Sequence, residues 1–191
     1  MQNNVGIYAS QISGHLWAPN GSYDALATVT VPSGGAASIE FSGIPQGYKH
    51  LQIRGICRST NTTNTTSYSA ELLMQFNGDN GSNYNAHAIE ANGSSVGANY
   101  QTSLTIVNLG GPFTTQTANA FGASIIDILD YTNTSKNKTV RAIGGQDLNG
   151  YGTTMIASGL WRSTAAITSI KMVSGGTGWA QYTQFALYGV K

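Results

Sequence analysis

Charge is the scarcest property of this chain. Only 9% of its 191 residues are Asp, Glu, Lys or Arg, and the formal net charge is +1. An average soluble domain carries about 25% charged residues. The nine basic residues are scattered singly and form no stripe that could release counterions from a polyanion. The sequence therefore argues against a nucleic-acid partner.

Long apolar runs and cysteines are also nearly missing. No apolar run approaches the ~20 residues that span a bilayer, so we expect no membrane insertion. The first six residues lack the basic region and apolar stretch of a signal peptide. Cys57 is the only cysteine, which excludes an internal disulfide and a cysteine-based metal cluster. We interpret Cys57 as a small, semi-buried side chain, because no cation cluster near it would activate the thiol.

What the chain has instead is alternation. Apolar side chains recur at every second position in three runs near the start, and Pro and Gly separate these runs. Side chains alternate across a strand, so each run is predicted to be a strand with one dry and one wet face. The residues assigned to the dry faces are Ala27, Val29 and Val31, then Ile39 and Phe41, then Leu51 and Ile53.

The same pattern continues to the end of the chain. Further strands are predicted at 72–76, 84–90, 104–106, 120–131, 138–144, 151–161, 167–173 and 182–190. The segment 120–131 is apolar on both faces, which is typical of a central strand. Helical periodicity is absent. We therefore expect an all-β fold, an antiparallel two-sheet β-sandwich resembling a jelly roll, over residues 22–191.

Residues 1–21 differ from the rest. Their apolar side chains are irregularly spaced, and a Pro-Asn-Gly break follows them. We interpret the segment as an extended arm that either packs on its own domain or docks on a partner. The candidate docking side chains are Ile7, Ile12, Leu16 and Trp17.

No arrangement of residues indicates catalysis, a metal or a cofactor. Asp127 and Asp130 lie three apart on a predicted strand, so they cannot form a local glycosidase pair. The segment 77–82 resembles a calcium loop, but it lacks a closing Glu, and a turn is the better interpretation. The histidines, which share no ligand spacing, are His15, His50 and His87. We expect a protein that is not an enzyme.

Aromatic residues beside Gly- and Asn-rich loops are the candidate binding groups. Tyr100, Tyr151 and Trp179 each follow such a loop. Exposed rings beside amides and hydroxyls are how a neutral protein could hold a sugar face. The alternative is that these rings close the ends of the sandwich. The candidate loops are 60–66, 92–99, 149–151 and 175–179.

Several segments resemble a family of small structural proteins of tailed bacteriophages, especially aquatic phages such as cyanophages. The resemblance lies in YDALATVTVPSGG at 23–35, FSGIPQGYKHLQIRG at 41–55, FNGDNGSNY at 76–84, IDILDYTNTSK at 126–136 and FALYGVK at 185–191. It covers roughly residues 20–191 and brings no catalytic or binding residues with it.

The resemblance implies a virion protein that is made in the cytoplasm of the host bacterium. Two placements follow: a tail-fibre or receptor-binding domain whose loops face a host-surface glycan, or a capsid decoration (cement) protein whose arm lies on the shell. A free lectin-like module is the third interpretation. Other virion proteins are the expected partners, and virion symmetry suggests a homo-oligomer, with a trimer as the expected form.

Overall fold

The fold was described from a computed structural model that defines residues 21–61, 72–109, 117–150, 152–175 and 178–191. Within these ranges every regular element is a β-strand, and no helix is present that could cross a membrane. The all-β prediction is confirmed. The arm proposed for 1–21 lies outside the described residues except for Gly21.

In the part of the chain that the structure describes, twelve strands form two antiparallel sheets. The larger sheet has the order β1-β12-β3-β8-β9-β10-β5-β6, and the smaller has the order β2-β11-β4-β7. The strands are β1 (Tyr23–Thr30), β2 (Ser38–Phe41), β3 (His50–Cys57), β4 (Leu72–Phe76), β5 (Tyr84–Ala91), β6 (Val96–Leu104), β7 (Val107–Asn108), β8 (Gly122–Leu129), β9 (Lys138–Asp147), β10 (Gly152–Trp161), β11 (Ile170–Ser174) and β12 (Gln184–Val190).

The connectivity is that of a jelly roll with two inserted hairpins. Without β5–β6 and β9–β10, the sheets read β1-β12-β3-β8 and β2-β11-β4-β7, which is an eight-strand jelly roll. Both hairpins join the same edge of the same sheet, beyond β8. The two insertions therefore double the number of strands in one sheet, from four to eight, and leave the other sheet with four.

The core lies between the two sheets. The inward side chains of β2 and β3 are buried as predicted, including Ile39, Phe41, Leu51 and Ile53. The larger aromatic side chains Tyr84, Trp161 and Phe76 form one contiguous group, with ring centroids 5.5–6.3 Å apart. Packing of this kind fixes the relative position of the two sheets.

The alternation predicted for β1 is wrong at Ala27. The register between β1 and β12 shifts between Ala25 and Ala27, as at a β-bulge. A bulge adds one residue to a strand and reverses which side chains face inward. Leu26 and Val29 therefore pack against the core, whereas Ala27 is exposed.

Two further expectations were wrong. Residues 96–99 belong to β6 rather than to a loop, and the strand expected at 104–106 is interrupted after Leu104.

Strand β8 lies in the middle of the larger sheet, as predicted, but it is not buried on both faces. Its outward side chains Ile125 and Leu129 are 43% and 39% exposed.

The pairing registers of the strands show at which end of the sandwich each connecting loop lies. At one end lie the ends of β1, β3, β5, β9 and β11 and the starts of β8, β10 and β12. We call this the loop end; its described residues are 31–37, 58–61, 92–95, 117–121, 148–150, 175 and 178–183. At the opposite end Tyr23 pairs with Val190, so the first and last strands begin and end there together.

Candidate functional site

All four loops predicted from the sequence lie at the loop end, as far as they are described. The 92–95 turn connects β5 and β6, and the 148–150 segment leads from β9 towards β10. Thr60 donates its backbone N–H to Gly178 O at 2.9 Å, which joins the other two loops. Residues 62–66, 151 and 176–177 lie outside the described residues.

The β5–β6 turn is shaped by one side chain. Asn92 Oδ1 accepts hydrogen bonds from the backbone N–H groups of Ser94 at 3.1 Å and Ser95 at 2.9 Å. It also accepts from both serine hydroxyls, at 3.1 and 3.2 Å. Such Asx turns hold a short polar loop in one conformation. The turn is therefore a fixed element of the loop end.

The β9–β10 connection uses the same device. Asp147 Oδ1 accepts the backbone N–H of Asn149 at 2.8 Å. Asn149 then adopts a left-handed conformation with φ of 63°. Asn is among the few residues other than Gly that take this conformation at low cost. The sequence Asp-Leu-Asn-Gly thus specifies the turn locally.

These two hairpin ends enclose a cleft of about 420 Å³. Much of its wall is backbone, because glycines line both sides. A Cβ at Gly145 would approach the Thr153 carbonyl oxygen at 2.5 Å, and one at Gly152 would collide with the Gln146 carbonyl oxygen. The cleft is lined by Ala91, Asn92, Gly93, Gly145, Gln146, Asp147, Gly150, Gly152, Thr153 and Thr154.

The polar groups of the cleft are hydroxyls, amides and a carboxylate. The lining residues Thr153 and Thr154 carry hydroxyls, but as neighbours on β10 they project to opposite sides of the strand; Asp147 is exposed and carries a carboxylate. A smaller recess of about 60 Å³ next to it is lined by Glu90, Asn92, Ser95, Gly97 and Thr153. Uncharged donors and acceptors with one or two carboxylates suit a ligand that carries several hydroxyl groups. The sequence motifs had not singled out Asp147, Glu90 or Thr153.

Trp179 is not available to a ligand, which corrects its assignment as a binding ring. Its side chain is completely buried and packs edge-to-face on Phe185, with ring centroids 5.3 Å apart. Its indole N–H donates to Met172 O at 3.2 Å. Backbone bridges join Trp179 to Ala36 and Ser59. The alternative interpretation, a ring that closes the end of the sandwich, is the right one for this residue.

Tyr100 is exposed, but it lies on a strand and not in a loop. It stands on the outer face of β6 with 71% of its surface exposed. Its ring stacks on His87 of β5, with centroids 5.9 Å apart and planes 24° from parallel. The structure therefore separates Tyr100 from the loop-end cleft. Tyr151, the third predicted ring, adjoins the cleft in sequence and lies outside the described residues.

The segment 77–82 is a turn, as predicted. Asp79 accepts hydrogen bonds from Trp161 Nε1 at 2.7 Å, from the backbone N–H of Gly81 at 2.8 Å and from Asn83. The hydrogen bond from Trp161 and those from Gly81 and Asn83 lower the pKa of the Asp79 carboxyl, against a smaller effect of burial. The carboxylate thus serves the fold, at the end opposite the loop end.

The remaining candidate groups also have structural surroundings. Cys57 is fully buried, and burial raises the pKa of its thiol. His50 Nδ1 accepts the backbone N–H of Asp130 at 3.0 Å. In the described part of the chain, His, Cys, Asp and Glu side chains form no group of three or more that could hold a metal ion. The arm residues Ile7, Ile12, Leu16 and Trp17 lie outside the described residues, and so does His15.

Comparison with known proteins identified no similar protein. No protein-family model, no curated protein and no solved structure matches this chain.

Proposed function

We propose that this chain is a non-enzymatic structural protein on the exterior of a tailed-phage particle, of the tail-fibre or receptor-binding type, whose loop end contacts the host surface. The resemblance of several segments to phage structural proteins suggests the particle. The observation that carries the role is the position of the polar loops, which gather at one end while the first and last strands meet at the other.

The geometry suits a domain that is attached to a particle at one end and presents its loop end to the outside. β1 has eight residues and so runs for about 26 Å from Tyr23 towards the loop end. A particle attached through residues before Tyr23 would hold the sandwich by the end opposite the cleft. The loop end would then point away from the particle, towards a host cell. A jelly roll is a stable carrier for such loops, as in viral and lectin domains.

The chemistry of the loop end suits a neutral glycan. Thr153, which lines both the cleft and the smaller recess, offers a hydroxyl, Asn92 an amide, and Asp147 an acceptor for sugar hydroxyls. A net charge of +1 makes long-range attraction to a strongly charged receptor a weak contribution. Recognition would then rest on short, directional hydrogen bonds in the cleft.

The first test is the copy number of this chain in purified particles, measured by quantitative mass spectrometry against the major capsid protein. A few to a few dozen copies are expected for a tail position. Hundreds of copies would identify a decoration protein instead. Absence from particles would contradict both placements and favour a free lectin-like module.

The second test is competition for adsorption. Purified protein added to host cells is expected to slow phage adsorption, and Asp147→Ala with Thr153→Val is expected to remove this inhibition. Ser135→Ala, an exposed substitution in the β8–β9 connection at the opposite end, is the matched control and should inhibit like the wild type. Equal inhibition by the double variant would show that the cleft does not bind the host.

Decoration of the capsid is the second candidate, because the broad outer face of the larger sheet carries exposed apolar side chains such as Ile143 and Ile156. A repeated lattice offers partners for such a face. Copy number separates this candidate from the first.

A further inference from the structure

Four isoleucines form a continuous row across the outer face of the larger sheet. Ile125 on β8 lies opposite Ile143 on β9, which lies opposite Ile156 on β10, which lies opposite Ile89 on β5. Their exposed fractions are 43%, 53%, 61% and 57%, respectively. We call this row the isoleucine ladder.

The ladder is unusual for this position. The solvent face of an antiparallel sheet normally carries polar side chains. Neighbouring strands are about 4.8 Å apart, so the ladder is about 14 Å long. From their exposed fractions, the four side chains present roughly 400 Å² of surface, within the range of patches that often serve function. Further apolar side chains on the same face are Ile56, Leu129 and Val96.

The charged groups nearest the ladder are one ion pair and one arginine, Arg54 of β3, which lies opposite Ile125. Asp127 and Arg141 point outward on β8 and β9, and their side chains pair with an N–O distance of 3.0 Å. Gln52 Nε2 also donates to Asp127 Oδ1 at 2.8 Å. The ion pair carries no net charge, so it would not repel its own copy in a face-to-face pair. Arg54 lies at the end of the ladder, with its guanidinium 5.5 Å from the ring centroid of Tyr23 and 5.2 Å from that of Tyr188. The described face also lacks the cluster of basic residues that an anionic membrane would attract.

The ladder has a complementary feature beside it. A groove of about 270 Å³ is lined by Ile125, Ile143 and Ile156 together with the side chains of Asp127 and Arg141. A ridge next to a groove fits its own copy after a twofold rotation, because the ridge of each copy enters the groove of the other. An apolar ridge offers nothing to the hydroxyl groups of a glycan, so a sugar is a poor occupant.

The area reaches the minimum expected of a specific interface between two copies. The five strands β8, β9, β10, β5 and β6 span about 24 Å, and seven residues along each span about 23 Å. Each copy would therefore contribute roughly 550 Å², or about 1,100 Å² in total. Specific interfaces begin at about 1,000 Å².

We propose that the isoleucine ladder is the interface of a twofold homodimer, in which the larger sheets of two copies pack face to face. The two sheets would lie about 10 Å apart, as in a β-sandwich. This arrangement pairs copies two at a time, unlike the trimer expected from virion symmetry. It does not depend on the tail-fibre role, since the ladder lies on the sheet face and not at the loop end, but it would occupy the face that capsid decoration would use.

The test is the mass of the full chain in solution, measured by light scattering and sedimentation over about 1–200 µM. The wild type is expected at twice 20.0 kDa at the upper concentrations. Ile143→Thr with Ile156→Thr keeps β-branched side chains on half-exposed strand positions. The double variant should fold normally by circular dichroism and dimerise at least about tenfold more weakly.

The matched control is Val96→Thr, which removes an exposed apolar side chain at the rim of the same face and should leave the dimer nearly unchanged. A wild type that stays at 20.0 kDa at every concentration would overturn the proposal. A trimer, or a dimer that the double variant does not weaken, would overturn it as well. Both of these results would place the contact between copies on another surface.

Discussion

Replacement of Trp179 by alanine tests the corrected assignment of the loop-end aromatic ring. If Trp179 belongs to the core, its removal must destabilise the whole sandwich. If it were an exposed binding ring, its removal would change the free energy of unfolding by about 0.5 kcal/mol at most. The two interpretations therefore differ by several kcal/mol in a single measurement.

The size of the effect follows from the surroundings of the ring. Truncation of a buried Trp to Ala costs about 3–5 kcal/mol through lost transfer energy and the remaining cavity. The lost hydrogen bond from the indole N–H to Met172 O adds about 1 kcal/mol. We therefore expect Trp179→Ala to lower the free energy of unfolding by about 4–6 kcal/mol. Trp179→Phe keeps an aromatic ring beside Phe185 and should cost about 1–2 kcal/mol.

Urea unfolding followed by far-ultraviolet circular dichroism measures this loss. With a slope of about 2 kcal/mol per molar urea, a loss of 4 kcal/mol moves the midpoint down by about 2 M. Tyr100→Ala is the matched control, since that ring is 71% exposed and should shift the midpoint little. A loss below about 1 kcal/mol for Trp179→Ala would refute the burial of this ring in the core.

Three further predictions concern other sites. The Cys57 thiol should not react with a soluble disulfide reagent in the native protein, and one thiol per chain should react in concentrated urea; prompt native reaction would contradict its burial. The pKa of Asp79 is lowered from 3.8, so its stabilising effect should be present at neutral pH and lost as pH falls through the folded-state pKa. Asp79→Asn should therefore be less stable than wild type at pH 7, and a stability gap that does not narrow below pH 3.8 would argue against this role. Gly145→Ala should cost about 1–3 kcal/mol in urea unfolding, because its Cβ meets the Thr153 carbonyl oxygen, whereas Gly47→Ala should be nearly neutral; equal costs would contradict the close approach.

The fold class could be predicted from the sequence because alternation is a local property. Ile39 and Phe41, or Leu51 and Ile53, show their common face without any knowledge of the partner strands. The first half of β6 was predicted as a loop because Gly97, Ala98 and Asn99 have weak strand preference. The bulge in β1 could not be predicted from the sequence either, since it is defined only by the pairing of β1 with β12.

The candidate site was harder to predict because it depends on register. The polar composition of the 92–95 and 149–150 turns is visible in the sequence, but their meeting in one cleft follows from the pairing of β10 with both β5 and β9. The ladder is a similar case. Apolar residues on both faces of 120–131 indicated a central strand, but only the register places Ile125 in line with Ile143.

The order in which the strands are made has a consequence for how this protein is completed. β11 lies between β2 and β4, and β12 lies between β1 and β3. Strands β11 and β12 therefore fill a gap in each sheet, and Tyr23 cannot pair until Val190 has been synthesised. Contacts of such sequence separation slow folding. A chain synthesised only as far as residue 169 lacks the strand that joins β2 to β4 and the strand that joins β1 to β3, so neither sheet can be completed until β11 and β12 have been made.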